Sequence, residues 1–439
     1  MSDVQGLGRR GFLQTAAAMG VGAAFVAACS RDSSAAPAQV TSSATGILQP
    51  GQGDRSGDLY LASLPDQVLW GYVPTVHASP VLRMRSGQTV TIDAVSHEGI
   101  LEDQGRNPVE YFSGQGVAEA DILDDAKAIA AEYNRTPRNF VKDGPHVVTG
   151  PIFVEGAEPG DVLKIETLEA IPRVPYGVVS SRHGKGALAL TSDKKAPAGI
   201  VLEEVMPAVS TNGTSSPDPT RWGNVSVFTR VAEGRGVMPL GGNGSVRFPL
   251  NPFMGMMGVA FAQDREMTSP NANSIPPTLG GGNIDIKHLG VGSIFYLPVH
   301  APGALFYVGD PHMAMGDGEV ALTAMEGSLR GTFRLTVCKK GSGDAPSVAY
   351  RYPFAETAQA WIPIGLSDPD AAVNGQVSDL DVAMRRAVVN ALDYLQHDRG
   401  MDRAVAYAYL SAAADFSVSQ VVDRTVGVHG QIYKEHFSM

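Results

Sequence analysis

Alternating apolar and polar residues, which are typical of half-buried β-strands, recur along the chain from about residue 80 to residue 340. Turn residues such as Ser86-Gly87 and Pro159-Gly160 separate the alternating segments. The clearest of these predicted strands are 81–85, 89–93, 162–168, 294–299 and 331–337. The 50 glycines and 29 prolines indicate many turns, as in β-barrels and β-sandwiches. The stretch 169–245 is rich in loops, and its pattern does not give an order of strands.

Helical spacing of apolar residues is found mainly near the end of the chain. It predicts one helix over 121–133, packed on the β core, and a longer one over 378–397. Gly400 ends the longer helix, and Asp402 caps a second one that runs to about residue 414. The fold class is therefore α+β and mainly β, resembling a barrel or sandwich, with a C-terminal pair of helices.

The first 28 residues have the features of an export signal. Arg9 and Arg10 precede Phe12-Leu13 and a short, uncharged run that is too short to span a bilayer. Twin arginines of this kind are typical of twin-arginine translocation, which exports folded proteins; an ordinary secretory signal with two arginines is the alternative. We expect an exported protein.

Small residues before Cys29 resemble the lipobox of bacterial lipoproteins, in which the cysteine is lipidated. A signal-peptidase cut nearby, without lipidation, is the alternative. We expect a periplasmic or cell-surface lipoprotein, anchored to the membrane only through Cys29. Residues 29–57 are rich in Ser, Ala, Pro and Gly and form the predicted tether. Residues 58–439 form the predicted domain, which is β-rich to about residue 350 and has its C-terminal helices within 378–414.

Charge and cysteine content narrow the functional classes. The formal net charge is −11 and the chain has no basic block, which argues against nucleic-acid binding. An acidic surface suits a domain that acts on a small, neutral molecule. Because Cys29 and Cys338 are the two cysteines, lipidation of Cys29 leaves no pair for a disulfide inside the domain.

Polar residues are concentrated in three glycine-containing clusters. The first runs from Asp143 and His146 to Asp161, the second is Gly281-Gly282-Asn283-Ile284-Asp285, and the third runs from Gly309 to Glu319. In the third cluster Asp310 precedes His312 by two residues, a spacing that places both side chains on one face of an extended segment. Its glycines allow backbone N–H groups to approach a ligand closely.

The order and spacing of these clusters resemble those of the acetamidase/formamidase family. The matching residues include Thr149-Gly150-Pro151, Ala157-Glu158-Pro159-Gly160-Asp161, the Gly-Gly-Asn-x-Asp cluster, and Gly303 to Phe306 followed by Gly309 to Glu319 and Thr323 to Glu326. The agreement extends from about Trp70 to Leu335, and residues 418–429 resemble the family's final stretch.

This resemblance implies an amidase that hydrolyses a small linear amide to a carboxylic acid and ammonia. It also implies a mainly β scaffold, assembly into homo-oligomers and a bound divalent metal. The chain has no Gly-x-Ser-x-Gly motif and no Ser-Ser-Lys amidase pattern. Water activated by a metal or by a carboxylate is therefore the expected nucleophile.

Roles for the clustered residues follow from their chemistry and from the resemblance. Asp310 and His312 are the first candidates for metal ligands and Asp285 is the third, a set suited to zinc, or to manganese or calcium with more oxygen ligands. Glu319 is the candidate general base. His146 is expected to be either a further ligand or an oxyanion donor. The Asn283 amide and the N–H groups of the segment around Gly316 and Gly318 are candidates for binding the substrate.

Several positions depart from the family pattern. Leu69, Gly280 and Met315 stand where relatives often have His, His and Gln. These departures leave open a shifted metal site, a more apolar substrate or lost activity. His97 stands where relatives more often have glycine, and we expect it to be a loop histidine facing solvent; a replacement metal ligand is the alternative. We expect Glu326 to be a buried structural partner, Asp423 to cap or turn the chain, and His288 and His429 to have no catalytic role.

Two other functions remain compatible with the sequence. The three departures favour a non-catalytic binding protein that keeps the fold and binds a small molecule without turnover. A lactamase-type hydrolase of cyclic amides is the other alternative, because its chemistry is the same.

Overall fold

The computed structural model describes residues 46–182, 185–191, 195–206, 224–369 and 378–437. The predicted signal peptide, Cys29 and residues 29–45 of the predicted tether lie outside these ranges. Within them, no helix is both long enough and apolar enough to cross a membrane.

Nine strands form the first β-sheet. In their order across the sheet they are β1 (Leu59–Leu61), β4 (Thr89–Ala94), β16 (Leu329–Cys338), β6 (Val162–Pro172), β13 (Ile294–Pro298), β17 (Phe354–Glu356), β18 (Ala360–Leu366), β20 (Gly427–Tyr433) and β19 (Asp415–Gln420). The β1–β4 pair is parallel and the other pairs are antiparallel. All five strands predicted from alternation are present, and four of them belong to this sheet.

Eleven strands form the second sheet. Eight of them follow one path: β10 (Ser245–Pro249), β9 (Arg235–Pro239), β8 (Asn224–Ala232), β7 (Tyr176–Arg182), β15 (Met325–Glu326), β14 (Phe306–Ala314), β11 (Phe253–Gly258) and β12 (Gly281–Asn283). Strand β5 (Val147–Glu155) pairs with β14, and also with β2 (Val68–Trp70) and β3 (Leu82–Arg85). Over the described strands neither sheet closes into a barrel, so the sandwich-like form of the expected fold is the one observed.

The hydrophobic core lies between the two sheets. Phe333 of β16 and Phe306 of β14 are fully buried, and their ring centroids are 6.0 Å apart. One large apolar cluster contains buried side chains from both sheets, including Ile92 of β4 and Val178 of β7. Each sheet therefore covers the apolar face of the other, as the alternating pattern requires.

In the described ranges, four α-helices cover parts of this sandwich. They are α1 (Pro108–Ser113), α2 (Asp124–Glu132), α3 (Leu380–Arg399) and α4 (Arg403–Ala413). The side chains of Asp379 and Asp402 accept hydrogen bonds from the first-turn N–H groups of α3 and α4, and Gly400 ends α3 in a left-handed conformation. The predicted C-terminal helical pair is confirmed, with bounds that differ from the prediction by one or two residues.

The chain returns to the first sheet after α4. Strands β19 and β20 form a hairpin, and β20 pairs with β18. The prediction of the C-terminal region ended at the helices and did not include this hairpin. At the other end, residues 46–57 of the predicted tether bond to the β core: Leu48 N–H donates to the Arg173 carbonyl at 2.9 Å, and Gly57 N–H donates to Thr91 Oγ1 at 3.0 Å.

Candidate functional site

Buried histidines and carboxylates from strands of both sheets, or from residues next to these strands, converge in one place. His97 follows β4, His146 directly precedes β5, Asp310 and His312 lie on β14, and Glu326 ends β15. All five side chains are buried. Polar groups at such depth cost free energy unless they are bonded, paired or bound to a metal. Their convergence therefore marks a site and not a packed core.

The backbone at this site adopts unusual conformations. Asp310 has φ of 50° inside β14, and Asp285 and Glu319 have φ of 48° and 45°. Residues other than glycine rarely occupy this left-handed region, and such conformations cluster at functional sites. At Asp310 this left-handed conformation occurs together with a short contact: Asp310 Oδ2 lies 3.0 Å from His312 Nε2.

Asp310 Oδ1 faces two other imidazoles. It lies 3.6 Å from His97 Nδ1 and 3.7 Å from His146 Nε2. One ligand atom from each of these three residues lies within 4.8 Å of the other two. Asp310 Oδ1 and His97 Nδ1 are buried and have no hydrogen-bond partner among the described residues. Two imidazole nitrogens and one carboxylate oxygen are the type of ligand set found in catalytic zinc sites.

Neighbouring side chains orient both imidazoles. His97 Nε2 lies 3.5 Å from the Glu98 carboxylate, which accepts a hydrogen bond from Ser180 Oγ at 2.7 Å and pairs with Arg182 at 3.3 Å. His146 Nδ1 lies 2.9 Å from Ser274 Oγ. In metal sites, the second nitrogen of a ligating histidine usually has such a partner, which fixes the ring and its tautomer. Both histidines therefore have the surroundings of metal ligands.

Two of the three residues of this set have the protonation that suits a metal. In the third, His97, burial lowers the pKa, but the hydrogen bond to Glu98 and the charge of Glu326 outweigh burial and raise it, so a metal would have to displace a proton there. Burial lowers the pKa of His146 to about 4, so that this imidazole is neutral at physiological pH. Burial on its own raises the pKa of Asp310, but His146 and His312 outweigh it and hold the pKa well below its usual range. A neutral imidazole and an ionised carboxylate are the forms that bind a metal. The residues present thus fit the divalent ion that the family resemblance implies.

His312 lies behind Asp310 and bridges it to other carboxylates. Its Nε2 is 3.0 Å from Asp310 Oδ2 and 3.1 Å from Glu326 Oε1, and its Nδ1 is 3.8 Å from Asp285 Oδ1. Burial lowers the pKa of His312, but Glu326 and Asp310 outweigh burial and raise it well above its usual value. A protonated His312 therefore neutralises part of the buried negative charge. This role differs from that of a metal ligand, which must be unprotonated.

Three more carboxyl groups complete the cluster. Burial, followed by repulsion from Asp285, raises the pKa of Glu319 well above its usual value. Burial also raises the pKa of Asp285 and of Asp423, which are close to each other. Glu319 therefore differs from Asp310: the carboxylate of Glu319 takes up a proton more readily than usual, whereas that of Asp310 remains ionised. Such a separation of pKa values is typical of acid–base pairs in active sites.

A cavity of about 480 Å³ opens onto this cluster. His97, His146, Asp310, Glu319 and Glu326 line its polar end. The apolar side chains that line it are Leu101, Phe140, Val141, Leu190, Ile275, Leu322, Val421 and Val422. The volume is in the range of small-molecule sites. Other polar side chains also line the cavity, among them Asp143, Arg182, Lys185, Asp423 and Arg424, so its wall is mixed polar and apolar.

The structure brings most of the sequence-predicted site residues together. His146, Asn283, Asp310 and Glu319 line the cavity, while Asp285 and His312 lie behind its polar end. Gly316 and Gly318 are not among the lining residues. Gly318 N–H donates to the Ser419 carbonyl at 3.0 Å, so this N–H is already bonded. The roles predicted for all eight residues stay predictions.

Two residues of the site were expected elsewhere. The expectation that His97 faces solvent is wrong, because His97 is 3% exposed and faces Asp310. Asp423, expected to cap or turn the chain, is buried and lines the cavity. Neither His97 nor Asp423 was recognised as a site residue, because they lie 213 and 113 residues from Asp310 in the sequence. For His97, its position in place of the family's more usual glycine was the one signal present.

The three departures from the family pattern lie outside the cavity lining. Leu69 is buried in a small apolar cluster with Val148 and Met256. A side chain at Gly280 would come within 2.6 Å of the Val259 carbonyl. Met315 is half-buried and does not line the cavity. None of the three therefore removes a group from the His97–His146–Asp310 set.

The fold and the site together define a mainly β protein with a buried histidine–carboxylate centre. The model of the acetamidase/formamidase family matches residues 243–430. A formamidase-like protein of Schizosaccharomyces pombe is 31% identical over 226 residues, which cover 45% of this chain and 53% of that relative. An acetamidase of Mycolicibacterium smegmatis is 27% identical over 294 residues, covering 57% of this chain and 69% of that protein.

The fold comparison agrees with the sequence comparison. The crystal structure of an acetamidase from Yersinia enterocolitica superposes with a TM-score of 0.60 at 22% identity, covering 90% of this chain and 97% of that one. This chain therefore resembles the acetamidase/formamidase family, over residues 243–430 by the family model and over about half the length of the Schizosaccharomyces pombe relative.

Proposed function

We propose that this protein hydrolyses small linear amides to a carboxylic acid and ammonia. The observation that carries this proposal is the His97–His146–Asp310 set, in which His97 Nδ1 and Asp310 Oδ1 have no hydrogen-bond partner among the described residues, and which lines the same cavity as Glu319. The matched relatives named acetamidase and formamidase support the same chemistry.

His97 Nδ1, His146 Nε2 and Asp310 Oδ1 would hold the divalent ion, and zinc suits this nitrogen-rich set best. When bound, the ion would lower the pKa of water and polarise the amide carbonyl. This set shares Asp310 with the predicted set of Asp285, Asp310 and His312. It differs in using the two imidazoles that line the cavity, whereas His312 is held between Asp310 and Glu326.

Glu319 would move the protons of the reaction. Its carboxylate accepts a proton from the attacking water, whose oxygen forms a bond to the carbonyl carbon. The raised pKa of Glu319 then favours donation of that proton to the leaving nitrogen as the C–N bond breaks. The amide and one water give the carboxylic acid and ammonia, so the atoms balance.

The cavity would select the substrate through one polar and one apolar contact. Asn283 Oδ1 is buried and, in the described part of the chain, has no hydrogen-bond donor, so it can accept from the substrate's NH₂ group. The apolar wall that includes Leu101 and Ile275 would contact the acyl group. Short aliphatic amides have an NH₂ group for the polar contact and a small acyl group for the apolar one, so they fit this cavity.

Ammonia release from formamide, acetamide and propionamide tests the proposal. We expect equal amounts of ammonia and carboxylate from the wild type, loss of both after removal of metal with a chelator, and recovery on addition of zinc. His146→Ala should reduce both activity and bound zinc, because it removes a ligand.

His300→Ala is a matched control for the loss of a histidine side chain, and His300 is half-buried. His300 is stacked edge-on against Phe261, outside the cavity lining and outside the potential metal-binding groups of the described residues. Its substitution should leave zinc content and activity unchanged. If the wild type binds acetamide but releases no ammonia from any amide, it is a binding protein and the proposal is wrong.

We also propose that the protein is exported through its twin arginines and anchored through Cys29. The Arg9-Arg10 pair, the uncharged run that follows and the small residues before Cys29 support this proposal. A domain that folds and takes up metal before export suits this route. The separate contributions of the arginines and of Cys29 are tested by the substitutions given in the Discussion.

A further inference from the structure

A second group of metal-type side chains lies outside the candidate centre. His288 is in the loop between β12 and β13, Asp317 is in the loop after β14, and His429 is on β20. One ligand atom of each lies within 4.8 Å of the other two. The group shares no residue with the His97–His146–Asp310 set. Three distant segments therefore place two imidazoles and one carboxylate together.

The two imidazoles have nitrogens free to bind an ion. His429 is fully buried, and its Nδ1 lies 2.9 Å from Ser419 Oγ, which leaves Nε2 on the opposite side of the ring. The Nε2 atoms of His429 and His288 are both buried without a partner, as judged over the described ranges. Buried polar atoms are nearly always bonded, so two unbonded nitrogens in one cluster indicate a missing ligand.

Asp317 supplies the negative charge of this group. Its Oδ2 pairs with the Lys287 ammonium at 2.7 Å, and its side chain is 26% exposed. One oxygen thus has a cationic partner that orients the carboxylate, and the other can bind an ion. Two neutral imidazoles and one carboxylate form a set suited to zinc and similar divalent ions.

We propose that His288, Asp317 and His429 bind a second divalent cation, zinc or an ion of similar chemistry. The site is next to the segment that carries Glu319. Gly318 N–H donates to the Ser419 carbonyl at 3.0 Å, and Val421 N–H donates to the Gly318 carbonyl at 3.2 Å. An ion bound to Asp317 and His429 joins the same two segments a second time. The ion therefore holds the Glu319 loop against the hairpin of β19 and β20.

Metal stoichiometry of the full-length protein tests this site independently of amide hydrolysis. After chelation, zinc alone is titrated into the wild type and the variants, and bound zinc is measured by elemental analysis. We expect two equivalents in the wild type and one in each of Asp317→Asn and His429→Ala. Asp310→Asn should lose the ion of the candidate centre and keep this one, while His300→Ala should keep both. Asp317→Asn is the safer variant if His429→Ala does not fold, because Asp317 is partly exposed.

Amide hydrogen exchange provides a second readout. In the Asp310→Asn background, zinc should slow exchange at Gly318 N–H, and Asp317→Asn should abolish that effect. Equal zinc content in the wild type, Asp317→Asn and His429→Ala would overturn the proposal. If the wild type binds a single ion, its loss in Asp310→Asn but not in Asp317→Asn would also overturn it. If the single ion is instead lost in Asp317→Asn and kept in Asp310→Asn, the result would support this site and contradict metal binding at the candidate centre.

Discussion

Asp310 connects the two halves of the candidate centre through its two carboxylate oxygens. Oδ1 faces His97 and His146, and Oδ2 lies 3.0 Å from His312. The left-handed backbone of Asp310, with φ of 50°, accompanies this arrangement within β14. A conformation that is costly for an aspartate is maintained only where the surrounding structure fixes it. Here the surroundings are the two imidazoles, His312 and strand β11.

Gly255 of β11 is one of the residues that leave space for this arrangement. A Cβ at position 255 would overlap Asp285 Oδ1 and lie 2.6 Å from His312 Cε1. We expect Gly255→Ala to displace both side chains, to lower amidase activity at least tenfold, and to destabilise the fold by about 1–3 kcal/mol through overpacking. Steady-state rates and chemical denaturation measure the two effects.

Gly242→Ala is the matched control, since a Cβ at position 242 meets no described atom within 4 Å. Its stability and activity should equal those of the wild type. Full activity in Gly255→Ala would show that the positions of Asp285 and His312 do not matter for catalysis.

At the scale of secondary-structure elements, short-range patterns could be predicted and long-range pairing could not. The cap Asp402 and the stop at Gly400 lie within a few residues of the helices they bound, and apolar spacing marks both helices, so the sequence alone predicted α3 and α4. The Asp310–His312 pair was recognised for the same reason. His97 and Asp423 join the site only through the packing of β4 and the β19–β20 hairpin, which no local pattern specifies.

A buried ion pair holds the first sheet to the segment before β1. Arg330 of β16 binds Asp93 of β4 through two contacts of 2.7 and 3.0 Å, and its guanidinium also donates to the Gln49 carbonyl at 3.3 Å. We expect Arg330→Met to lower the free energy of unfolding by about 3–5 kcal/mol, because it leaves Asp93 buried with a weaker partner. Chemical denaturation measures this change.

Arg334 provides a control on the same strand. It pairs with Glu166 at 3.8 Å and is 44% exposed. Arg334→Met should therefore cost less than about 1 kcal/mol. Equal costs for the two substitutions would mean that burial of the Arg330–Asp93 pair adds nothing to stability.

At the scale of the whole molecule, the site lies in a domain whose stability comes from its core. The apolar faces of the two sheets pack against each other, and the domain's cysteine, Cys338, is buried and unpaired within the described residues. Such a domain needs no oxidising compartment in order to fold. Folding before export is therefore compatible with this structure.

Export and anchoring are separable in the proposed N-terminal signal. The Arg9→Lys, Arg10→Lys double variant should be retained inside the cell, while Cys29→Ala should be exported without a lipid anchor. Fractionation and mass spectrometry of the mature N-terminus measure both. Normal export of the double-lysine variant would exclude the twin-arginine route, and a wild type without acyl modification would exclude the anchor.

The proposed amidase function depends most directly on Glu319. The decisive measurement is ammonia release by Glu319→Gln and by the wild type at equal zinc content. Glutamine keeps the size of the side chain but cannot take the proton from water. We predict that the variant still binds metal and amide, while its turnover falls by about 10²–10⁴-fold. Turnover by Glu319→Gln at the wild-type rate would contradict the proposed mechanism.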